Sequence, residues 1–160
     1  MSYQLAQLNI ARFRLPAEDP VNADFINALD RVNAIAEQQP GYVWRLQGEG
    51  DSAIDVHAFD DPNIVVNMSV WEDMETLAAF AYRNEDHRAI MRRRREWFEH
   101  LEFYLVLWWI EAGHRPSVEE AKARLESLRR YGPTAHGFTF KQPFPAPGRD
   151  GASPILDECA

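Results

Sequence analysis

The sequence predicts an α+β domain: one antiparallel sheet with helices packed on one face. Three observations predict it. Four stretches show alternating or continuous apolar character of strand length, and apolar residues recur every three or four positions in the segments between them. The resulting order is β-α-β-β-α-β with one further helix, and its first six elements form the split βαβ of ferredoxin-like folds. A chain of 160 residues, 46% hydrophobic and 12% aromatic, is the size of one domain and carries enough apolar side chains for a core.

The elements follow in order. Tyr3 to Phe13 reads as a strand, with Leu5, Gln7, Asn9 and Ala11 on one face and Ala6, Leu8, Ile10 and Arg12 on the other. Phe25, Leu29, Val32 and Ile35 recur at helical spacing, which predicts an amphipathic helix over Val21 to Gln38, stopped by Pro40-Gly41. Tyr42 to Gln47 is a second strand. Gly48 to Asn63 is polar and acidic; its spacing does not fit a calcium loop, and it reads as a solvated connection. Ile64 to Trp71 alternates cleanly and is the third strand.

Glu72-Asp73 opens a helix carrying Met74, Leu77, Phe80 and Ala81. Asn84 interrupts it, and a second helical segment covers Glu85 to His100. Phe103 to Glu111 is a fourth strand whose near-continuous apolar character predicts burial on both faces. Ser117 and Glu120 form a capping box that starts the last helix, and Gly132-Pro133 ends it. Gly137 to Lys141 reads as a short edge strand. Residues 1–141 are thus one domain, and 142–160 a Pro/Gly-rich irregular tail.

Composition excludes several partners. The net charge of −8, with 15 arginines and two lysines, argues against nucleic acid and anionic membranes. The longest apolar run, Tyr104 to Ile110, is too short to span a bilayer. The N-terminus does not read as a secretory signal, and the sole cysteine, Cys159, cannot build a disulfide framework. A reducing cytoplasm is the expected compartment. Two helices cover only one sheet face, and the other also carries apolar side chains that a single chain would leave wet. A homodimer pairing two sheets face to face is therefore expected.

The residues that could carry chemistry concentrate between Trp71 and Pro116. In DHRAIMRRRREWFEHL, the stripe of Ile90, Met91, Trp97, Phe98 and Leu101 shares its face with His87 and Arg94. An arginine amid such a stripe needs a partner, either a protein carboxylate or an anionic ligand suited to its guanidinium fork. His87 reads either as a satisfied core histidine or as an acid–base group titrating near neutrality. Arg92, Arg93 and Arg95 point elsewhere and read as solvated or paired with acidic neighbours. Trp108 and Trp109 point to opposite sheet faces, so at most one lines an internal pocket. His114-Arg115 occupies the turn after the fourth strand, where it could serve a ligand or bond a helix end. His57, His100 and His136 read as surface residues. No metal-ligand spacing, phosphate loop, nucleophile elbow or dinucleotide fingerprint appears.

The segments VNMSVWED (Val66 to Asp73), RRRREWFE (Arg92 to Glu99), LWWIEAGHRPSVEEA (Leu107 to Ala121), Arg124-Leu125 and GPTAHGFTF (Gly132 to Phe140) resemble a bacterial family, domain of unknown function 3291. The likeness runs from Leu5 to about Pro145. It implies the dimeric α/β-barrel superfamily and no single activity. That superfamily includes cofactor-independent quinone-forming monooxygenases, haem-degrading monooxygenases, polyketide cyclases and stress proteins. Asn9, Trp71 and His87 are similar in type and order to residues of the haem-degrading group, but His87 stands sixteen residues after Trp71, a wider spacing than that group's.

The expectation is a small-molecule site between the sheet and the 72–100 helical segments, lined by Trp71, Phe80, Met91, Trp97 and Trp108. His87 would be the acid–base group, Arg94 would hold an anionic oxygen, and Asn9 or Asn67 would donate hydrogen bonds. His114 and Arg115 would lie over it. No cofactor is required, with haem the alternative. A non-catalytic, stress-related binding dimer is the competing function.

Overall fold

The computed structural model describes residues 2–50 and 52–149; Cys159 and the rest of the tail beyond Arg149 lie outside them. Strands β1 (Tyr3–Arg12), β2 (Tyr42–Arg45), β3 (Ile64–Trp71) and β4 (Leu105–Glu111) form one sheet in the order β2-β3-β1-β4. All three pairings are antiparallel, so the ferredoxin-like topology read from the sequence is the observed one. Helix α1 (Ala23–Glu37), after a 3-10 turn at Pro20–Asn22, links β1 to β2. Between β3 and β4 run α2 (Met74–Ala78), a π-helical turn (Ala79–Arg83), α3 (Glu85–Arg92) and α4 (Arg94–Trp97).

Local chemistry sets the ends. Gly41, at φ +83°, turns the chain into β2, and a Cβ there would run into the Thr76 side chain. Asp73 caps α2 by accepting from the Thr76 amide at 2.8 Å, and Ser117 caps α5 (Val118–Tyr131) by accepting from the Glu120 amide at 3.1 Å. The helical segment expected to reach His100 stops at Trp97 instead. Phe98 is extended and bridges Phe13, while the Glu99 amide bonds the Arg12 carbonyl, so pairing with the end of β1 competes with helix. The expected edge strand at 137–141 is a single bridge, Phe138 exchanging both backbone bonds with Leu107 at 2.8 and 2.9 Å.

Alternation gives the sheet two unlike faces. One carries Ala6, Leu8, Ile10, Val66, Met68, Val70, Val106, Trp108 and Ile110, packed against Ala121, Leu125 and Leu128 of α5. Trp44, Leu46, Val56, Ala58 and Phe59 cover its other half. This corrects the argument for a face-to-face dimer. The second face is not left wet, because α5 and the 43–59 segment bury it within one chain. The opposite face carries Leu5, Trp71 and Leu107 beneath Ala36, Met74, Leu77 and Phe80. Residues 142–149 lack regular structure but are not loose: the Trp109 indole donates to the Phe144 carbonyl at 2.8 Å, and Ala146 is buried.

Candidate functional site

The helix-covered face changes character along its length. Its middle is polar: register places Gln7 opposite Ser69 and Asn9 opposite Asn67 on the two central strands. Asn67 is solvent-exposed and lies beyond the last residue of β3 that pairs with β2, so no helix seals that part of the sheet. The roof is correspondingly loose. Helix α3 has no buried residue, and α1 has only Ala36. This polar strip is therefore open to solvent at its Asn67 end. The roof helices run antiparallel and are joined by reciprocal ion pairs, Arg31 with Asp86 at 2.6 Å and Arg93 with Asp24 at 2.9 Å.

Histidine 87 owes its position to the break in the helix before it. The π turn carries the Asn84 amide to the Ala79 carbonyl at 3.1 Å. Asn84 then leaves helical geometry (ψ 122°) and caps α3 by accepting from the His87 amide at 3.1 Å. The imidazole Nδ1 sits 2.8 Å from the Ala81 carbonyl. A carbonyl only accepts, so Nδ1 carries the proton and Nε2 presents its lone pair. Burial pushes the His87 pKa below the usual histidine range, and the bond to Ala81 opposes that shift without reversing it. The result is a neutral imidazole with its basic nitrogen fixed.

From His87 a continuous chain of contacts reaches the polar floor. The Phe80 ring lies 4.9 Å from His87 and stacks on Trp71 at 5.4 Å, with Tyr42 edge-on to Trp71 at 5.7 Å. Trp71 Nε1 donates to Ser69 Oγ at 2.9 Å. Gln7 Nε2 donates both to Ser69 Oγ at 2.8 Å and to Asn67 Oδ1 at 2.7 Å. Asn67, Trp71, Phe80 and His87, all expected site residues, thus join one constellation, and Asn9 adjoins it in register. Gln7 and Ser69 were not expected. Their signal was polar residues at alternate positions of inner strands, which becomes legible only once the register is known.

Other expected residues fall elsewhere. Met91 and Arg94 are half-buried in the roof segments, and Arg94 has no carboxylate partner among the described residues. Trp97 is buried at the far end of the sheet among Phe13, Phe25 and Phe98, away from Trp71. Trp108 is a correction: it lies on the opposite face under α5, and alternation gives the helix-covered face Trp109, in one row with Leu5 and Trp71. His114 and Arg115 are a second correction. Both are exposed beside the start of α5, where His114 Nε2 meets Glu120 at 2.9 Å and Arg115 bonds the His114 carbonyl. A groove of about 200 Å³ lies between the Gln39-Pro40 turn and α2, sharing only Phe80 with the constellation. Among the described residues no cluster of His, Cys, Asp and Glu could hold a metal, and no helix is long and apolar enough to cross a membrane.

The family described as "Domain of unknown function (DUF3291)" matches residues 4–153. The chain belongs to that family. No curated protein matches it. Among solved structures it is similar to a Nitrosomonas europaea protein provisionally described as an antibiotic biosynthesis monooxygenase, at 13% identity and TM-score 0.49, over 73% of this chain and 97% of that one. A similarly described protein of Chloroflexus aurantiacus aligns at 14% identity and TM-score 0.47, over 70% and 97% of the two chains. A Streptomyces coelicolor monooxygenase solved with Nanaomycin D aligns at 14% identity and TM-score 0.44, over 71% and 93%.

Proposed function

We propose that this DUF3291 protein binds a small aromatic or polyketide-like molecule in the cleft between its polar sheet floor and the α1/α3 roof. In this reading it is a cofactor-independent, monooxygenase-like enzyme with His87 as general base. One observation carries the proposal: burial keeps His87 neutral and the Ala81 carbonyl fixes its tautomer, with Nε2 unengaged among the described residues and the Phe80–Trp71 stack beside it. A base so poised takes a proton from an acidic C–H or O–H of the substrate, and the resulting anion yields electrons to dioxygen. An amide donor from Asn67 or Asn9 would stabilise the anionic oxygen, and Arg94 is a guanidinium available for it.

Haem, the alternative suggested by resemblance, fits poorly. The Phe80 ring bridges Trp71 and His87, so these two residues do not face each other across a slot for a macrocycle. Every group invoked comes from one chain, so the reading does not depend on the homodimer that the sequence predicts.

The test is turnover of a hydroxyanthrone, followed by oxygen uptake and quinone absorbance. His87→Ala should lower turnover by about 10²–10⁴-fold while leaving binding nearly intact. Unchanged turnover in that variant removes the role of His87. Saturable binding with no product in the wild type favours the non-catalytic binding protein.

A further inference from the structure

We infer that the groove between the Gln39-Pro40 turn and α2 takes a small zwitterion whose ammonium and carboxylate stand at opposite ends of a short aliphatic body, as in an ω-amino acid. The groove has a volume of about 200 Å³ and shares only Phe80 with the His87 constellation. That is the liquid volume of roughly six or seven waters, room for a molecule of amino-acid size. One wall is a single helical face: Glu75, Thr76, Ala79, Phe80 and Arg83 follow one another along α2 and the π turn, with Gln39 and Pro40 opposite. Both walls are tied in place without a ligand. The Glu72 amide donates to the Gly41 carbonyl at 2.7 Å, Gln39 Nε2 donates to the Ile35 carbonyl at 3.1 Å, and Phe80 is stacked on Trp71. A groove formed in advance binds without a cost of ordering.

Opposite charges are laid out along that wall. Glu75 lies in the first turn of α2 and Arg83 in the last turn of the π-helical stretch, the order that the helix dipole favours. They are eight positions apart, roughly 12 Å along a helix axis. Both line the groove, and neither is hydrogen-bonded or ion-paired to any described residue. The arginines that follow differ in this: Arg92 pairs with Glu85, and Arg93 with Asp24 and Glu96. Between the two free charges the lining is mainly apolar, from Pro40, Ala79 and Phe80. A dicarboxylate would set one end against Glu75, and a diamine would set one end against Arg83. An α-amino acid carries both charges on one carbon and so presents them at one end of the groove. An ammonium beside Glu75, methylenes over Ala79 and Phe80, and a carboxylate on the Arg83 fork match both ends and the middle.

Amide chemical-shift titration of the whole chain with 6-aminohexanoate, hexanoate and hexylamine tests the inference, since each of the last two lacks one charge. Shifts with 6-aminohexanoate should centre on Gln39 and Ala79 and be absent from α5. Hexanoate and hexylamine should bind about three- to tenfold more weakly. Arg83→Gln should weaken 6-aminohexanoate and hexanoate by about that factor and leave hexylamine unchanged. Glu75→Gln should spare hexanoate and weaken the two amines. Both residues are exposed, so the thermal melts of the variants should match that of wild type. Equal affinity for the three probes, variants that weaken all three alike, or no shift at the groove overturns the inference. The His87 reading stands in each of these cases, because its test is hydroxyanthrone turnover.

Discussion

The two faces of the sheet come from the same four strands, yet they are built to opposite rules. On the α5 side, Ala6, Leu8, Val106 and Trp108 meet Leu125 and Leu128, and every one of these is at most 3% exposed. On the α1/α3 side, four polar residues occupy the centre, and the roof helices bury almost nothing. Burial of apolar area drives folding, at about 25 cal/mol per Å². Most of that driving force on the first face is secured within the chain, which frees the second to carry polar groups that a core would reject. Period-two alternation makes the division possible, because neighbouring residues such as Leu8 and Gln7 answer to different faces.

Breaking the comparison at its strong end should give the largest effect. Leu125→Ala leaves a cavity under α5 and should cost about 2–5 kcal/mol in denaturant unfolding. Its counterpart on the other face, Asn67→Leu, should cost only about 0.5–1.5 kcal/mol, the worth of its bond to Gln7, since the residue is exposed. Comparable destabilisation by the two would mean that both faces are core.

The sequence made the strands legible because their alternation survives into structure: β3 spans Ile64–Trp71 in both readings. The Ser117 cap is an equally local signal, and Asp73 and Asn84, read as a helix start and an interruption, prove to cap α2 and α3. What escaped was non-local. Nothing in Trp108-Trp109 says which member faces α1 and which α5; that depends on how β4 pairs with β1. The covering of the second face by α5 depends on the path taken after Gly113, which turns at φ +93°. The Gln7–Asn67–Ser69 network joins positions some sixty residues apart, beyond the reach of any periodicity. His87 was found because helix spacing put it with Met91, but the Ala81 carbonyl that fixes its tautomer is freed by a π turn the pattern does not announce.

The half-buried His87 sharpens the contrast through pH. Its folded pKa lies below the unfolded value of about 6.5. The unfolded chain therefore binds more protons in the window just below 6.5, and stability rises with pH there. This contribution is fully present above the unfolded pKa and is lost as pH falls through the folded one. Denaturant midpoints measured at pH 7.5 and 5.5 should drop less in His87→Gln than in wild type. An equal drop would place the acid sensitivity elsewhere.

The smallest effect belongs to the roof itself. Arg31–Asp86 and Asp24–Arg93 tie α1 to α3 and α4 through exposed groups, the two members of each helix lying seven residues apart, or two turns. Exposed pairs contribute only about 0–1 kcal/mol and are screened by salt. Removing both with Arg31→Ala and Asp24→Ala should hardly move the melting temperature. Hydrogen exchange is the sharper measure, because it reads local opening. The double variant should exchange faster in α1 and α3 and be unchanged in α5, and 1 M salt should bring wild type toward the same pattern. Equal acceleration in α5 would show that the pairs act on global stability, and that the roof is not an independently mobile layer over the polar floor.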